Sequence, residues 1–341
     1  MRKLATIRKI DAIRPIPDAD AIECAVVGGW TVVVKKGEYQ AGDLAVYCEV
    51  DSFIPGIVAP FLTKPDRYPD VFNGVEGERL RTVRLRKQLS QGLLLPLSVL
   101  PDTVVAVEID SDVTDLLGIQ KWEAPIPAQL AGQVRGAFPS VVPKTDEERI
   151  QNLTGELDEI LAGRWELSEK LEGSSMTVAR LNGEFEVCSR NLSLREAEGN
   201  SLWALARRYD IEAKLIALGM DNFVIQGEIV GEGIQGNHYG IKGQEFYVFR
   251  MYDVKAGQFV EPEERRAICD QFGLKHVPVI AFNVDLFDTL GIKTVDQILT
   301  FADGKSLVNP AKLREGVVFK EVGGQRHWKA VSNQYLLKTG G

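Results

Sequence analysis

The run Glu169-Lys170-Leu171-Glu172-Gly173 combines the residue types of a covalent catalytic site. It supplies a lysine amine, an acid two residues later and a glycine that ends the predicted strand. Side chains two residues apart on a strand share one face, so Glu172 is expected beside Lys170. A free lysine has a reference pKa of about 10.4, and it becomes a nucleophile when it is desolvated or lies beside other cations. The run therefore predicts a lysine nucleophile whose neighbours come from elsewhere in the chain.

Five more strand-like runs, each interrupted by charge, follow this one. They are Cys188–Asn191, Ile225–Gly231, Glu245–Arg250, Arg314–Lys320 and Arg326–Ser332. Taken singly, each is most simply a strand with a solvated face. Together they offer a nucleophile, three acids, two or more cations and an aromatic side chain. The succession favours one shared site in the second half of the chain.

The first 120 residues are predicted to be all-β. Glycine turns separate the strand-like runs, and Gly28-Gly29 is expected to form a hairpin turn between two of them. The runs are Glu23–Val27, Trp30–Lys36, Leu44–Val50, Leu80–Leu85 and Gly92–Leu95. Several short strands at this spacing predict a small barrel.

Basic residues crowd into one part of this barrel. Arg79, Arg81, Arg84, Arg86 and Lys87 lie in one short stretch that contains no acid. An OB-type barrel that grips nucleic acid is expected, with phosphate contacts from Arg81, Arg84 and Arg86. A solvated basic strand, or a barrel that serves only as a docking surface, is the alternative.

Prolines mark the boundary between the two halves of the chain. Residues 121–144 are predicted to be a connector, punctuated by Pro125, Pro127, Pro139 and Pro143. The connector lacks sustained hydrophobic periodicity, so no regular element is expected in it.

The second domain, residues 145–341, is expected to begin with a helix. Thr145 and Glu148 have the spacing of a capping box, which would open a helix through Ile150, Leu153 and Leu157. Strands dominate after Trp165, with helices inserted near 194–219, 261–272 and 293–302. This order of elements predicts an α+β domain.

Composition argues against several classes of protein. The net charge of −8 counts mildly against a nucleic-acid-binding protein, although the local basic cluster matters more. No apolar run approaches the roughly 18 residues of a membrane span, and the N-terminus has no signal-peptide pattern. Three histidines at no metal-ligand spacing argue against a zinc site. Four scattered cysteines without a C-x-x-C pair predict reduced core residues and a cytoplasmic location.

In their order, the charged runs resemble the motifs of the covalent nucleotidyltransferase superfamily, which includes polynucleotide ligases and mRNA capping enzymes. The run 169–173 resembles motif I, K-x-(D/E)-G, and the four runs from Ile225 onward resemble motifs III, IIIa, IV and V. The Ser189-Arg190-Asn191 run resembles the Ia element of RNA ligases. Over nearly the whole chain, the resemblance is greatest to the Deinococcus-type RNA ligase family, in which an OB module precedes the ligase domain.

This resemblance implies a fold. An N-terminal OB-like β-barrel, residues 1–120, would precede a nucleotidyltransferase domain, residues 145–341. The second domain would have the ATP-grasp-like ligase architecture of antiparallel sheets with flanking helices. The chain as a whole would be α+β.

The resemblance also implies a role for each motif residue. Lys170 would attack the α-phosphorus of ATP and hold AMP as a phosphoramidate. Glu228 and Glu315 would bind Mg²⁺ or Mn²⁺, and Glu172 would bind the ribose or the hydration shell of the metal. The catalytic set is Lys170, Lys320 and Lys329; the nucleotide-binding set is Glu169, Lys170, Leu171, Glu172, Arg190, Asn191, Glu228, Phe246, Val318, Lys320 and Lys329; the metal set is Glu172, Glu228 and Glu315.

The remaining motif residues are expected to surround the nucleotide. Lys320 and Lys329 would supply the positive field that activates the nucleophile and neutralises the phosphates. Phe246 would stack on the adenine, and Val318 would pack on the other face of the base.

In the Ia run, Arg190 and Asn191 would contact the phosphates, the ribose or the RNA end.

The motifs depart from the superfamily pattern at two places. Ser175 stands where many DNA ligases and capping enzymes have an arginine after motif I, and Glu172 replaces aspartate. The missing arginine favours an RNA ligase. His327 stands where a second motif V lysine is common, and its role is open.

The resemblance implies an ATP-dependent RNA ligase that joins a 3′-OH to a 5′-phosphate, most simply at nicks in duplex. The steps are enzyme adenylylation, transfer of AMP to the 5′-phosphate, and attack by the 3′-OH. A role in RNA repair, a monomeric state and no membrane partner are expected.

Three alternatives remain open at this stage. A DNA ligase or a GTP-dependent capping enzyme usually carries its OB domain after the transferase domain, whereas only residues 321–341 follow the Arg314–Lys320 run here. The third alternative is a non-catalytic OB-domain RNA-binding protein, against which the intact motif residues argue.

Overall fold

Twelve strands build the first part of the chain in the computed structural model, which describes residues 3–101, 107–123 and 132–339. These strands are β1 (Ala5–Lys9), β2 (Ala12–Pro15), β3 (Ile22–Val27), β4 (Trp30–Lys35), β5 (Leu44–Cys48), β6 (Ser52–Pro55), β7 (Asp70–Phe72), β8 (Val75–Arg79), β9 (Val83–Leu85), β10 (Gln88–Ser90), β11 (Leu93–Leu95) and β12 (Gln120–Lys121). They form antiparallel sheets in the orders β1-β5-β11, β2-β3-β4, β12-β6-β8-β7 and β10-β9. Two hydrophobic clusters fill this part, one around Ile7 and Val46 and the other around Trp30 and Tyr47.

The basic residues of this part lie on and near the turn of a short β-hairpin. The predicted strand Leu80–Leu85 is shorter in the structure, because β8 ends at Arg79 and β9 begins at Val83. Arg86 and Lys87 both have positive φ and form the two-residue turn of the β9–β10 hairpin. Arg84 and the two turn residues are therefore exposed on one short ribbon.

Two mostly antiparallel sheets form the second part. The eight-stranded sheet contains β13 (Val134–Ala137), β16 (Ser174–Leu181), β17 (Glu184–Cys188), β18 (Leu192–Leu194), β19 (Phe223–Gly231), β20 (Gln244–Asp253), β21 (Gln258–Phe259) and β22 (Lys275–His276). The five-stranded sheet has the order β14-β25-β24-β15-β23, with β14 (Glu148–Arg149), β15 (Arg164–Lys170), β23 (Val279–Asp285), β24 (Gly316–Glu321) and β25 (His327–Val331). Only β14 runs parallel to its neighbour in the five-stranded sheet.

Six α-helices occur in the described ranges. They are α1 (Leu157–Ala162), α2 (Ser201–Arg208), α3 (Ile211–Ala217), α4 (Pro262–Phe272), α5 (Val295–Ala302) and α6 (Asn333–Thr339). Helices α2 to α5 confirm the helices predicted near 194–219, 261–272 and 293–302. By contacts between residues, the chain divides into two units, Met1–Pro125 with Gln151–Thr154 and Leu336–Gly341, and Ile126–Ile150 with Gly155–Tyr335.

The helix start predicted from the Thr145 capping box is wrong, although two 3₁₀ turns, Ile150–Asn152 and Thr154–Glu156, and then α1 lie further along the predicted segment. Thr145 and its neighbours are not helical; β14 pairs with β25, and the first α-helix begins only at Leu157. The Thr145 hydroxyl lies 3.2 Å from Ser175 Oγ, and the Glu148 carboxylate accepts from the Arg149 amide. Pairing with a sheet therefore outweighs the local capping pattern.

The predicted connector 121–144 contains regular structure where it is described. Strand β13 pairs with β18 at the edge of the eight-stranded sheet. The Pro143 and Lys144 carbonyls accept hydrogen bonds from Gln226 and Arg250 of that sheet. Pro125 and Pro127 fall outside the described residues. Residues 132–144 therefore belong to the fold of the second unit.

Each sheet of the second unit has one apolar face. Met176, Ile225 and Phe246 of the eight-stranded sheet pack in a cluster with helices α2 to α4. On the five-stranded sheet, Phe319 and Trp328 stack with their rings 3.7 Å apart. Lys170 and Lys320 of the five-stranded sheet and Glu228 of the eight-stranded sheet lie on the opposite faces.

Candidate active site

Strand register brings several predicted site residues onto one face of the five-stranded sheet. On β15, Ser168 and Lys170 alternate with residues of the apolar face. Ser168 pairs with Val318 of β24, and Val318 pairs with Lys329 of β25. Lys320 lies two residues beyond Val318, so it shares the same face. The alternation of a sheet therefore assembles residues that are far apart in sequence.

Lys170 lies between two carboxylates. Its Nζ is 2.6 Å from Glu315 Oε1, and Glu228 of the other sheet also interacts with it. Burial alone would lower the pKa of Lys170, but the two carboxylates outweigh burial and raise it. The amine is thus held as an ammonium ion, and it can act as a nucleophile only after these carboxylates have another cation to bind.

Glu228 titrates unusually for a carboxylate. Burial raises its pKa to about 8; Lys170 opposes this effect and Glu315 adds to it. A carboxyl group with this pKa mostly keeps its proton at neutral pH until a further cation displaces it. Glu228, with Glu315 nearby, therefore offers oxygen ligands to a cation that takes the place of that proton.

The predicted metal ligands divide into a pair and a separate residue. Glu228 and Glu315 converge on the Lys170 ammonium, whereas the Glu172 carboxylate lies 3.2 Å from His238 Nδ1. Across the described residues, no group of three or more His, Cys, Asp or Glu is placed to hold a metal ion. The predicted three-carboxylate set is therefore not assembled, but a pair suffices for Mg²⁺, which usually keeps waters and binds substrate phosphates as well.

Asp146 links two of the predicted phosphate-binding cations. Lys329 Nζ donates to Asp146 Oδ1 at 3.1 Å, and Arg190 Nη2 lies 3.6 Å from the same oxygen. Next to them, Lys144 Nζ donates to Asn191 Oδ1 at 3.3 Å. Sequence reasoning missed Asp146 because it lies in the stretch that was read as a helix start.

Lys320 lies at a distance from Lys170. It pairs with Glu166 across the ladder, whereas Lys170 pairs with Gly316, which is four residues away along β24. At about 3.3 Å per residue, the two lysines are separated by about 13 Å of strand. Lys320 has 1% of its surface exposed, and Nζ donates to Ser168 Oγ at 2.8 Å. Burial, followed by the nearby Arg265, lowers the pKa of Lys320 to about 7.

Phe246 lies away from this face. It has no exposed surface and packs against the apolar face of the eight-stranded sheet. The next residue, Tyr247, pairs with Glu228 and therefore shares its side of the sheet. Tyr247 and Phe249 are half-buried and pack near Leu171. The structure therefore does not support the position expected of Phe246, and the difference is one residue, which reverses the face of a strand.

The two neighbours of Lys170 in its motif are buried. Glu169 points to the opposite side from Lys170, and its Oε2 accepts from the Leu307 amide at 2.7 Å. Burial raises the pKa of Glu169. Leu171 is buried beside Val230. These two side chains fix the strand end rather than face the same space as Lys170.

His327 pairs with Lys320 across β24 and β25. Its ring lies 4.6 Å from that of Phe259, and burial lowers the pKa of the imidazole to about 2. His327 is therefore neutral, and it does not replace the charge of a motif V lysine.

The two parts of the chain each match a known family. Residues 4–97 match the model of an OB-fold domain, and residues 163–338 match the RNA ligase model. An OB-fold followed by a domain of antiparallel sheets, with a lysine beside carboxylates, defines this chain as a polynucleotide ligase by class. The second match spans more than half of the sequence, so the chain belongs to the RNA ligase family.

Solved structures agree with this assignment. An RNA ligase of Naegleria gruberi with pyrophosphate is 45% identical, with a TM-score of 0.89 and 98% coverage of each chain. A variant of that ligase with AMP and manganese gives the same values. A further variant with ATP and manganese has a TM-score of 0.90 at 45% identity, covering 99% of this chain and 98% of that chain. No curated protein sequence matches the chain.

These matches confirm the predicted fold class and the predicted enzyme class. The chain is an RNA ligase with an N-terminal OB-fold and a C-terminal ligase domain. In the part of the chain that the structure describes, none of the helices has the length and apolar character to cross a membrane.

Proposed function

We propose that the protein is an ATP-dependent RNA ligase that joins a 3′-OH to a 5′-phosphate through a lysyl-AMP intermediate on Lys170. The observation that carries this proposal is the 2.6 Å ion pair of Lys170 with Glu315, directly before β24, together with the electrostatic interaction of Lys170 with Glu228 on β19 of the other sheet. The Naegleria ligase structures with ATP, AMP or pyrophosphate support the same substrate for this chain.

The first step follows from this geometry. Lys170 Nζ loses its proton and attacks the α-phosphorus of ATP; an N–P bond forms and the P–O bond to pyrophosphate breaks. The Glu228–Glu315 pair would hold Mg²⁺ or Mn²⁺, which supplies positive charge to the phosphates when bound. AMP then passes to the 5′-phosphate of the RNA, and the 3′-OH displaces AMP to form the phosphodiester bond.

The remaining site residues surround the nucleotide in this proposal. Lys329 and Arg190, which converge on Asp146, contact phosphates, and Asn191 contacts the ribose or the RNA end. Val318, on the Lys170 face, provides an apolar wall for the base. We assign the stacking contact to Tyr247 or Phe249 instead of Phe246, because these two rings lie on the Glu228 side of the sheet. Lys320 lies about 13 Å along the strand, which suits the base end of a nucleotide better than its phosphates.

The basic hairpin is the proposed contact for RNA. Arg84, Arg86 and Lys87 are exposed on β9 and its turn, and Arg81 is exposed just before them. Arg79 differs, because it bonds Asp51 at 2.6 Å. Phosphate contacts from the exposed cations give an affinity that depends on salt and not on sequence. A nicked duplex is the substrate we propose.

Four further properties belong to this proposal. The order of domains supports membership of the Deinococcus-type family. We propose a monomer that acts in RNA repair. All four cysteines are free and buried, which supports a reducing, cytoplasmic compartment.

The test is incubation with α-labelled ATP and Mg²⁺ or Mn²⁺, followed by mapping of the labelled peptide. We expect AMP on Lys170, no label on the Lys170→Met variant, and competition by ATP but not by GTP. Label on another residue would exclude Lys170 as the nucleophile, and label from GTP would favour a capping-type enzyme. Nicked duplexes with RNA or DNA on the 3′-OH side then identify the strand that must be RNA.

A further inference from the structure

Glu166 is a buried carboxylate that belongs to none of the predicted motifs. It lies on β15, four residues before Lys170 and on the same face. Its side chain has no exposed surface. A carboxylate removed from water this completely is stable only where cations and donors compensate for its lost hydration.

Three cations surround Glu166. Arg265 and Arg266 of helix α4 donate to its two oxygens, Arg265 to Oε1 and Arg266 to Oε2. Lys320 is its neighbour across the ladder, with Nζ 3.7 Å from Oε1 and a hydrogen bond to Ser168 Oγ. One carboxylate therefore joins a helix on the outside of the site to a lysine on the site face.

His276 holds Arg265 from another side without adding charge. Arg265 Nε donates to His276 Nε2 at 2.9 Å, so the imidazole proton is on Nδ1, which donates to the Val277 carbonyl at 2.6 Å. Burial, followed by Arg265, lowers the pKa of His276 to about 3. The ring is therefore neutral, and the position of Arg265 is fixed from two directions.

Positive charge exceeds negative charge around Lys320. The charged and titratable groups that face it are Glu166 on β15, Glu147 before β14, Arg265 on α4, Arg250 on β20, His276 on β22 and His327 on β25. Both histidines are neutral, so two arginines and Lys320 are opposed by two carboxylates. Glu166 is the leading group that resists the loss of the Lys320 proton.

We propose that Glu166 is a positioning residue of the nucleotidyl-transfer site, which holds Lys320 on the site face and keeps it protonated for the nucleotide. This inference rests on the proposed function. A protonated lysine offers three donors and a charge to an electron-rich ligand group, whereas a neutral amine in the same place offers neither the charge nor the third donor. Loss of the Glu166 carboxylate therefore affects the contact with the nucleotide through its effect on Lys320.

The sign of the pH dependence follows from the charges. A rate that needs protonated Lys320 falls as pH rises through the pKa of this lysine. Loss of the Glu166 charge lowers that pKa, so the fall begins at a lower pH. Loss of the Arg265 charge raises it, so the fall begins at a higher pH.

The experiment measures the rate of lysyl-AMP formation against pH for the full chain and for the Glu166→Gln and Arg265→Gln variants. We expect the alkaline limb to move in opposite directions in the two variants, with a loss of about tenfold at pH 8 in Glu166→Gln for each unit by which the pKa falls. A structural role alone would reduce the melting temperature of both variants and leave their pH profiles at the position of the unchanged protein. That result would overturn the proposal.

Two further variants keep the test decisive. Glu245→Gln removes a half-buried carboxylate that accepts from the Tyr209 hydroxyl at 2.7 Å and forms ion pairs with Arg208 and Lys275, not with the groups around Lys320, so its profile should match that of the unchanged protein. If Glu166→Gln does not fold, Lys320→Arg replaces the titrating amine with a guanidinium that stays charged, and the alkaline limb should disappear. A limb that persists in Lys320→Arg would overturn the proposal, whereas absence of label on the unchanged protein would instead contradict the proposed function on which it rests.

Discussion

Two lysines on one face of the five-stranded sheet differ in the charge around them. Lys170 lies beside Glu315 and Glu228, and these carboxylates raise its pKa against the effect of burial. Lys320 is buried near Arg265, and its pKa falls to about 7. The same residue type thus has opposite electrostatics about 13 Å apart along a strand. The difference indicates two tasks, one for a nucleophile that is stored as its ammonium ion and one for a donor close to its titration point.

Loss of each lysine should therefore have a different consequence, and this is the largest effect we expect. The Lys170→Met variant should lose lysyl-AMP formation by about a thousandfold or more and still bind ATP. The Lys320→Met variant should still be labelled but bind ATP about 10 to 100 times more weakly, because it loses a charged hydrogen-bond donor. Labelling rates and ATP titrations measure the two effects. Equal loss of ATP affinity in both variants would contradict the division of tasks.

The carboxylates around Lys170 should rank second in effect. Glu228→Gln and Glu315→Gln should each lower the labelling rate by about a hundredfold or more at saturating Mn²⁺, because the site loses a ligand for the cation that replaces the lysine charge. Glu172→Gln is the matched control, and its loss should be about tenfold or less because this carboxylate faces His238. Rates measured over a Mn²⁺ titration test this ranking. If Glu172→Gln lowered the labelling rate as much as the other two variants do, the result would support a metal site of three carboxylates.

The two faces of the eight-stranded sheet can be compared through adjacent aromatic residues. Phe246→Ala should destabilise the fold by about 3–5 kcal/mol, because a fully buried ring leaves a cavity. Tyr247→Ala should cost less stability and weaken ATP binding by about 1–3 kcal/mol, in the range of a base–aromatic contact. Urea unfolding and ATP titration separate the two outcomes. Weaker ATP binding by a folded Phe246→Leu variant would return the stacking role to Phe246.

The smallest effect on the chemistry is expected in the hairpin. A variant with Arg84→Gln, Arg86→Gln and Lys87→Gln should be labelled by ATP at the unchanged rate. It should bind a nicked RNA duplex more weakly, with a slope of log affinity against log salt that is shallower by about 2 to 3. Arg79→Gln is a control of another kind, since its partner is Asp51 and its loss should affect stability more than the slope. A slope that does not change in the triple variant would exclude the hairpin as a phosphate contact.

Local sequence patterns predicted which segments form strands and turns better than they predicted which face of a sheet each side chain occupies. The motif runs fall on β15, β19, β20, β24 and β25, and the glycine turn between β3 and β4 is present. The face of each ring on β20 could not be read from sequence, because it depends on whether Phe246 or Tyr247 pairs with Glu228 of β19, and that pairing is a long-range contact. A difference of one residue in this register exchanges the two rings between the faces of the sheet.

Long-range pairing explains the other differences. Glu166 reads in the sequence as an exposed position on a strand, and only helix α4, about a hundred residues later, shows why it is buried. Thr145 has the spacing of a helix cap, but β14 nearby finds a partner in β25 instead. Neither contact leaves a signal within a few residues, and so no periodicity could have predicted it.

The aromatic layer behind the catalytic strands has an optical consequence. The indoles of Trp165 and Trp328 lie 5.3 Å apart with their planes at 73°, and Trp328 directly precedes Lys329 in the chain. Two chromophores this close and this inclined couple their electronic transitions, so the pair contributes a circular dichroism signal of its own. That signal makes the integrity of the sheet behind Lys170 visible in the unlabelled protein, and a catalytic variant that retains it has lost its chemistry without losing its scaffold.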